Sequence, residues 1–418
     1  RGTVTLNYVV AGGNPGDNLV VDNSSGTGNV VMNTVDADNS VTGKGIWIIT
    51  TGSVNLKAIS ATGNATVGTW VENDSTRKQS VTITGGEFSY NKDNGLQIDS
   101  SGVVTLKDIN ASGNSKTLQN ITFGQKIQDT MYYGTDEYRF TIASNTTTTI
   151  TARSPLGYNL YMYIYRPGDV AAWQTLGPSS AVTFGPTLLT IVGEYRVVLS
   201  GASGGYTIFL GNGGAEPAFP NQVSFSNGIQ VVNNNNGSTA NVSIINANQD
   251  SFYTEANGRF GIYIISGGSL TLTNLQSNFN GADGVYASNG TVAKPYTIKG
   301  LNASYNGGTG AFFDNNSSVS VTGFYLYYNV GTGLSVDAGG TVTVTGANAT
   351  TDRGITRYNN YGLQLLTTGA VNLKWIDAEY NDQVGVNVQN MGASGSLTAT
   401  DIYSSYNGSV GMQVSVPG

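Results

Sequence analysis

The chain contains no cysteine and no histidine among its 418 residues. Without Cys there are no disulfides, no thiolate nucleophile and none of the common zinc ligand sets. Stability must then come from a continuous packed core. Without His the usual general base near neutral pH is lacking, along with every Ser-His-Asp or Cys-His arrangement. Charge is scarce too: 11% of residues are charged, and acidic residues outnumber basic ones for a net charge of −7. That balance, with no basic stripe, argues against nucleic-acid partners. No apolar run approaches the ~20 residues of a membrane span. Arg1 directly precedes the first strand pattern, with no leader, so the sequence reads as a mature form or a segment of a longer protein.

What the chain does have is a recurring strand signature. It reads Gly2-Thr-Val-Thr-Leu6, Gly28-Asn-Val-Val-Met32, Gly52-Ser-Val-Asn-Leu56, Gln79-Ser-Val-Thr-Ile83 and Gly102-Val-Val-Thr-Leu106. After a gap it resumes at Asn241-Val-Ser-Ile244 and continues through Gly340-Thr-Val-Thr-Val344 and Ala370-Val-Asn-Leu373. A period of roughly 21–29 residues marks a solenoid. Strands and turns without a helical unit predict an all-β parallel β-helix of about twelve coils, roughly 55–60 Å long at ~4.8 Å per strand. The general preference for right-handed crossovers predicts its hand.

Each repeat carries two strands. In the first, alternate residues such as Val30/Met32 and Val54/Leu56 point inward while Thr, Ser or Asn face water. The second follows a glycine, as in Gly45-Ile-Trp-Ile48, Gly284-Val-Tyr-Ala287 and Gly385-Val-Asn-Val388. That glycine suits either a positive φ or close approach to a neighbour. Between the strands lies a turn centred on Asn, at Asn114, Asn306, Asn329, Asn381 and Asn407. Asn tolerates the left-handed region, and stacked amides can form a ladder. The Asn and aromatic positions resemble the ladders of right-handed parallel β-helix proteins, a likeness that implies fold more than function.

The fifth coil begins at Gly102 and reaches its turn at Asn114, but its second strand appears only at Gly228-Ile-Gln-Val-Val232. The intervening stretch is richer in aromatics and long strands. It divides the chain into 1–114 (N-terminal coils), 115–226 (an inserted antiparallel β-sandwich, jelly-roll-like, with a return linker containing Pro217 and Pro220) and 227–418 (C-terminal coils). The succession of Asp136, Tyr138 and Phe140, then Leu160, Tyr161 and Tyr163, then Tyr195, then Tyr206 resembles the bacterial pre-peptidase C-terminal domain. That resemblance implies a secreted module that binds carbohydrates or surfaces.

Candidate chemistry falls in two places. Asp352, Arg353, Arg357, Asp377, Glu379, Asp382 and Asp401 recur near one turn of successive coils, where a polysaccharide lyase or hydrolase would need clustered carboxylates. An aromatic column precedes the corner Asn: Tyr90, Phe279, Tyr305, Tyr328, Tyr358, Tyr380 and Tyr406. Exposed stacked rings suit a glycan or a partner subunit, or simply stabilise neighbouring coils. Asn64, Asn110, Asn145, Asn302 and Asn348 lie in Asn-x-Ser/Thr sequons.

No cap is evident beyond the first strand (Thr3, Val4, Thr5, Leu6) or the last (Met412, Val414, Val416), so these strands are candidates for stacking copies end to end. The expectation is a non-enzymatic extracellular or cell-surface structural protein, with no cofactor or metal, assembling head to tail into a filament. Its partners would be further copies of itself, with glycans or a cell surface as others, and neither nucleic acid nor a membrane span. Two alternatives are an adhesin or carbohydrate-binding rod, and a polysaccharide lyase or hydrolase.

Overall fold

A computed structural model describes residues 2–416 apart from 115–117, 132–133, 155–158, 202–203, 213–221, 224–226, 248–252, 290–292 and 393–394. The protein is all-β: a parallel-strand solenoid, interrupted once by two smaller sheets. The return linker with Pro217 and Pro220 lies outside the described residues. No helix among the described residues is long and apolar enough to cross a membrane.

Among the described residues, one solenoid sheet has 13 strands and the other 12. Two short strands of the larger sheet, Val342–Thr345 and Gly354–Arg357, share one coil, since both pair with Val319–Tyr327 and with Val371–Glu379. Register is uniform, so like residues stack. Val30, Val54, Val81, Val104 and Val242 form one inward file, each at most 1% exposed. The alternation of buried and half-buried positions follows from the period-2 pleat, and it fills the solenoid with one continuous apolar core.

The first strand of most coils is bent, a feature the sequence pattern did not announce. In Val30–Asp36 the fifth residue, Thr34, has φ of 56°. Pairing with the next coil joins Asn33 to Lys57 and Val35 to Ile59, skipping the bend. Tyr8, Ala58, Asp108, Trp375 and Asp401 repeat this conformation, and so do Gly85, Gly300 and Gly323. The 13-stranded sheet is thereby folded across a corner.

The second strands begin at glycines that do not take positive φ; close approach is what they serve. A Cβ on Gly284 would lie 2.6 Å from the carbonyl oxygen of Gly310 and 2.7 Å from Nδ2 of Asn306. Gly45, Gly68, Gly95 and Gly228 would meet Nδ2 of Asn64, Asn91, Asn114 and Asn257 in the same way. Each glycine thus makes room for the amide of the following coil.

Within the interruption, Gly134–Ile142, Gly193–Gly201, Leu160–Tyr165 and Gln174–Ser179 pair antiparallel in one five-stranded sheet. Ala181–Leu189, Thr146–Arg153, Gly204–Gly211 and Gln125–Met131 do so in another. They enclose a second core containing Tyr138, Phe140, Leu160, Tyr195 and Tyr206. Tyr161 and Tyr163 stack on each other at 6.5 Å outside that core.

Candidate functional site

The corner between the two strands of a coil is built from a repeated pair: a ladder asparagine and the residue before it. The ladder runs through Asn64, Asn91, Asn114, Asn257, Asn280, Asn306, Asn329, Asn359, Asn381 and Asn407. Each Nδ2 donates to Oδ1 of the next at 2.9–3.2 Å, always toward the C-terminal coil. That same Oδ1 also accepts the backbone N–H of the preceding ladder residue, for example Asn280 to Asn306 at 2.9 Å. The amides are buried, so these bonds satisfy groups that would be costly to leave alone.

The left-handed residue at this corner is the one before the asparagine, not the asparagine itself. It is Gly63, Tyr90, Gly113 and Ala256 in the earlier coils, then Phe279, Tyr305, Tyr328, Tyr358, Tyr380 and Tyr406, all with φ between 53° and 64°; Asn39 takes the same conformation one coil earlier, where Ser40 follows it. Turning the backbone here aims the asparagine inward and throws the preceding side chain outward. From Phe279 onward the rings stack face to face, with centroids 4.9, 5.0, 4.6, 5.4 and 5.0 Å apart. Tyr90 occupies the same corner, but the adjoining positions there are Gly63 and Gly113.

The energetics of this column are close to balanced. A non-glycine residue in the left-handed region costs roughly 1–2 kcal/mol. A stacked aromatic pair contributes roughly 0.5–1.5 kcal/mol, and a column has about one pair per ring. Glycine also holds this corner, at Gly63 and Gly113, without the left-handed cost. Stability alone therefore gives little reason for six aromatic side chains in succession.

Beside the column lies a pocket of about 250 Å³, walled by Phe279 and Tyr305 and by Asn278, Asn302, Tyr325 and Tyr327 from the neighbouring face. Asn278 is held by Glu255 at 2.9 Å and by the N–H of Ser304 at 2.8 Å. The Tyr325 hydroxyl donates to Asp352 at 2.8 Å, and that bond leads the causes that push its phenol up to about 12. Burial raises the carboxyl of Glu255 and the phenol of Tyr327.

Only part of the charge-bearing set converges. Asp377 accepts from Arg353 at 2.7 Å and from Arg357 at 3.4 Å, while Arg357 also pairs with Glu379 at 2.7 Å. Arg353 further stacks over Tyr403 at 4.5 Å. The network thus uses its carboxylates internally. Asp382 is exposed at the turn after Asn381, and Asp401 offers its backbone carbonyl to Arg353 while its side chain faces solvent. Among the described residues, no group of three or more His, Cys, Asp or Glu is placed to hold a metal.

Thr3, Val4, Thr5 and Leu6 lie in and beside the first paired strand, Val4–Val10, and Met412 and Val414 in the last, Met412–Ser415, with Val416 just after it. Asn64 is fully buried in the ladder and so unsuited to carry a glycan, whereas Asn145 is exposed. A second aromatic column was not singled out from the sequence. Tyr263, Tyr286 and Phe312 stack at 5.2 and 5.3 Å on the outer face of the 12-stranded sheet. Their common place, two residues after the corner glycine, was the available signal.

No protein-family model and no curated protein matches the chain. Among solved structures, it is similar to the pre-peptidase C-terminal domain of a collagenase from Bacillus anthracis. That match has 15% identity and a TM-score of 0.21, and covers 22% of this chain and 93% of the other.

Proposed function

We propose that this protein is a non-catalytic extracellular or cell-surface rod that binds glycan chains along its aromatic corner. The observation that carries the reading is the unbroken run from Phe279 to Tyr406 at corners where two earlier coils use glycine. A flat column with regularly spaced ring edges, next to a pocket lined by amides and hydroxyls, offers an extended polymer both apolar surface and hydrogen bonds. The internal pairing of Asp377 and Glu379 with arginines favours binding over hydrolysis. In this reading residues 115–226 are a carried module related to pre-peptidase C-terminal domains. The support is the burial of Tyr138, Phe140, Leu160, Tyr195 and Tyr206 from its motif in one core.

A glycan array probed with the wild type and with Tyr358→Gly/Tyr380→Gly tests the proposal. Glycine suits both corners, so the variant keeps the fold. Expected are hits that weaken about tenfold in the variant, a loss of ~1.4 kcal/mol. An array without hits, or hits untouched by the double substitution, overturns it.

A second reading, a filament subunit, is favoured by the uniform parallel register and the one-way polarity of the amide ladder. A coil of one copy can continue the register of another, giving a heterologous contact that does not close. Electron microscopy of concentrated protein showing single rods alone would remove this reading.

A further inference from the structure

The second aromatic column stops abruptly, and where it stops there is a pocket. Along the outer face of the 12-stranded sheet one file of residues reads Tyr263, Tyr286, Phe312, Ser335, Gln364 and Asn387. The first three rings stack at 5.2 and 5.3 Å, with interplanar angles of 11° and 18°. The next position in register with Phe312 is Ser335, a side chain too short to cover a ring. One face of Phe312 is therefore left against an open notch of about 280 Å³.

The rest of the notch is polar. Gln364 and Asn387 follow Ser335 along its floor, and Asp337 and Gln389 stand exposed at the rim. The Oε1 of Gln364 already accepts from Thr332 at 2.9 Å, which orients that amide and leaves its N–H groups to donate.

We propose that this notch is a binding site for a single neutral pyranose ring, stacked on the open face of Phe312. A sugar has a C–H face to lie on an aromatic ring and equatorial hydroxyls that donate and accept. The notch supplies both kinds of surface: the ring of Phe312 on one side, and on the other donors (Gln364) and a carboxylate acceptor (Asp337). A flat aromatic ligand would also stack but would leave the Gln364 N–H groups and Asp337 without partners, and an anion would face Asp337. The stacked tyrosines at the corner cover one another's faces, so that column and this notch recognise sugars differently, and the site stands independently of the corner.

The test titrates the protein with methyl glycosides of glucose, galactose, mannose and N-acetylglucosamine, followed by saturation-transfer NMR. At least one is expected to bind in the millimolar range, with saturation strongest at its axial C–H protons. Ser335→Phe is the decisive variant. It extends the stack by one ring, so it keeps the fold while occupying the notch, and it should abolish the signal. Gln364→Met, which removes the donors, should weaken binding about tenfold, equivalent to ~1.4 kcal/mol. Absence of binding by all four glycosides, or full binding in Ser335→Phe, would each overturn the assignment.

Discussion

The side-chain amide of Asn114 donates to Oδ1 of Asn257 at 3.0 Å, although 143 residues separate the two. The backbone N–H of Asn114 reaches the same oxygen at 3.1 Å. Strand pairing is equally indifferent to the interruption, since Leu96 pairs with Ile229 and Val104 with Val242. The solenoid closes over the insertion as though it were absent. A Cβ on Gly228 would lie only 2.6 Å from the carbonyl oxygen of Ala111, which shows how close the chain on either side remains.

Excision follows from that geometry. Replacing residues 115–226 by a loop of about four residues, a common connection length, should leave a folded solenoid. Loop closure changes slowly with length, so little stability rides on the insertion itself. Circular dichroism and hydrogen exchange on the shortened chain should retain protection at Leu96, Val104 and Ile229. An unfolded product would mean that the inserted sheets hold the coils together.

The ladder itself should be sensitive at each member. Asn257→Ala strips the acceptor from both N–H groups of Asn114, and each buried orphan costs roughly 1–3 kcal/mol. Asn257→Asp keeps that acceptor but loses the donor to Asn280, 3.0 Å away. Its carboxyl can donate to Asn280 only while protonated, so burial and this bond both raise its folded pKa. Stability of the Asp variant is then retained at low pH and lost as pH rises through that folded value. Melting curves across pH separate the two variants; a pH-independent deficit in the Asp variant would contradict this account.

The legible part of the protein was what repeats. Val30/Met32 and Val54/Leu56 alternate because a pleated strand has period 2, and stacking copies buries the whole file. Two features at the corner were harder to read. The glycine at 284 could serve positive φ or close approach, and only the neighbouring coil, with Asn306 and Gly310 at its face, decides between them. The left-handed residue was sought at Asn, whose propensity favours it, yet Tyr305 takes that conformation because the ladder needs the amide of Asn306 turned inward. The notch at Ser335 depends on what sits in register one coil earlier. A strand-by-strand reading of residue types does not show that.

Tyr358 tests the balance between backbone cost and stacking. Its ring lies 4.6 Å from Tyr328 and 5.4 Å from Tyr380, on a backbone with φ of 59°. Alanine keeps the left-handed strain and loses both stacks, a deficit of about 1–3 kcal/mol. Glycine loses the stacks but relieves the strain, and should be about 0.5–1 kcal/mol more stable than alanine after its own chain-entropy cost. The order expected from denaturant melts is Tyr, then Gly, then Ala. An alanine variant as stable as the glycine one would show that the corner is not strained.

Asp283 gives the solenoid a pH dependence of its own. Burial pushes its carboxyl up to about 6, against the opposing pull of the Thr309 N–H, which it accepts at 2.7 Å, and of Arg259. The folded state therefore holds a proton that the unfolded chain releases near the ordinary value of 3.8. Between those two values the folded state binds more protons, so stability falls as pH rises, and it levels off above about 6. Asp283→Asn keeps an oxygen for the Thr309 N–H and does not titrate. Its melting temperature should gain on the wild type across that interval and then run parallel to it. Melting curves that stay parallel from pH 4 to pH 7 would mean that Asp283 titrates alike in the folded and unfolded chain.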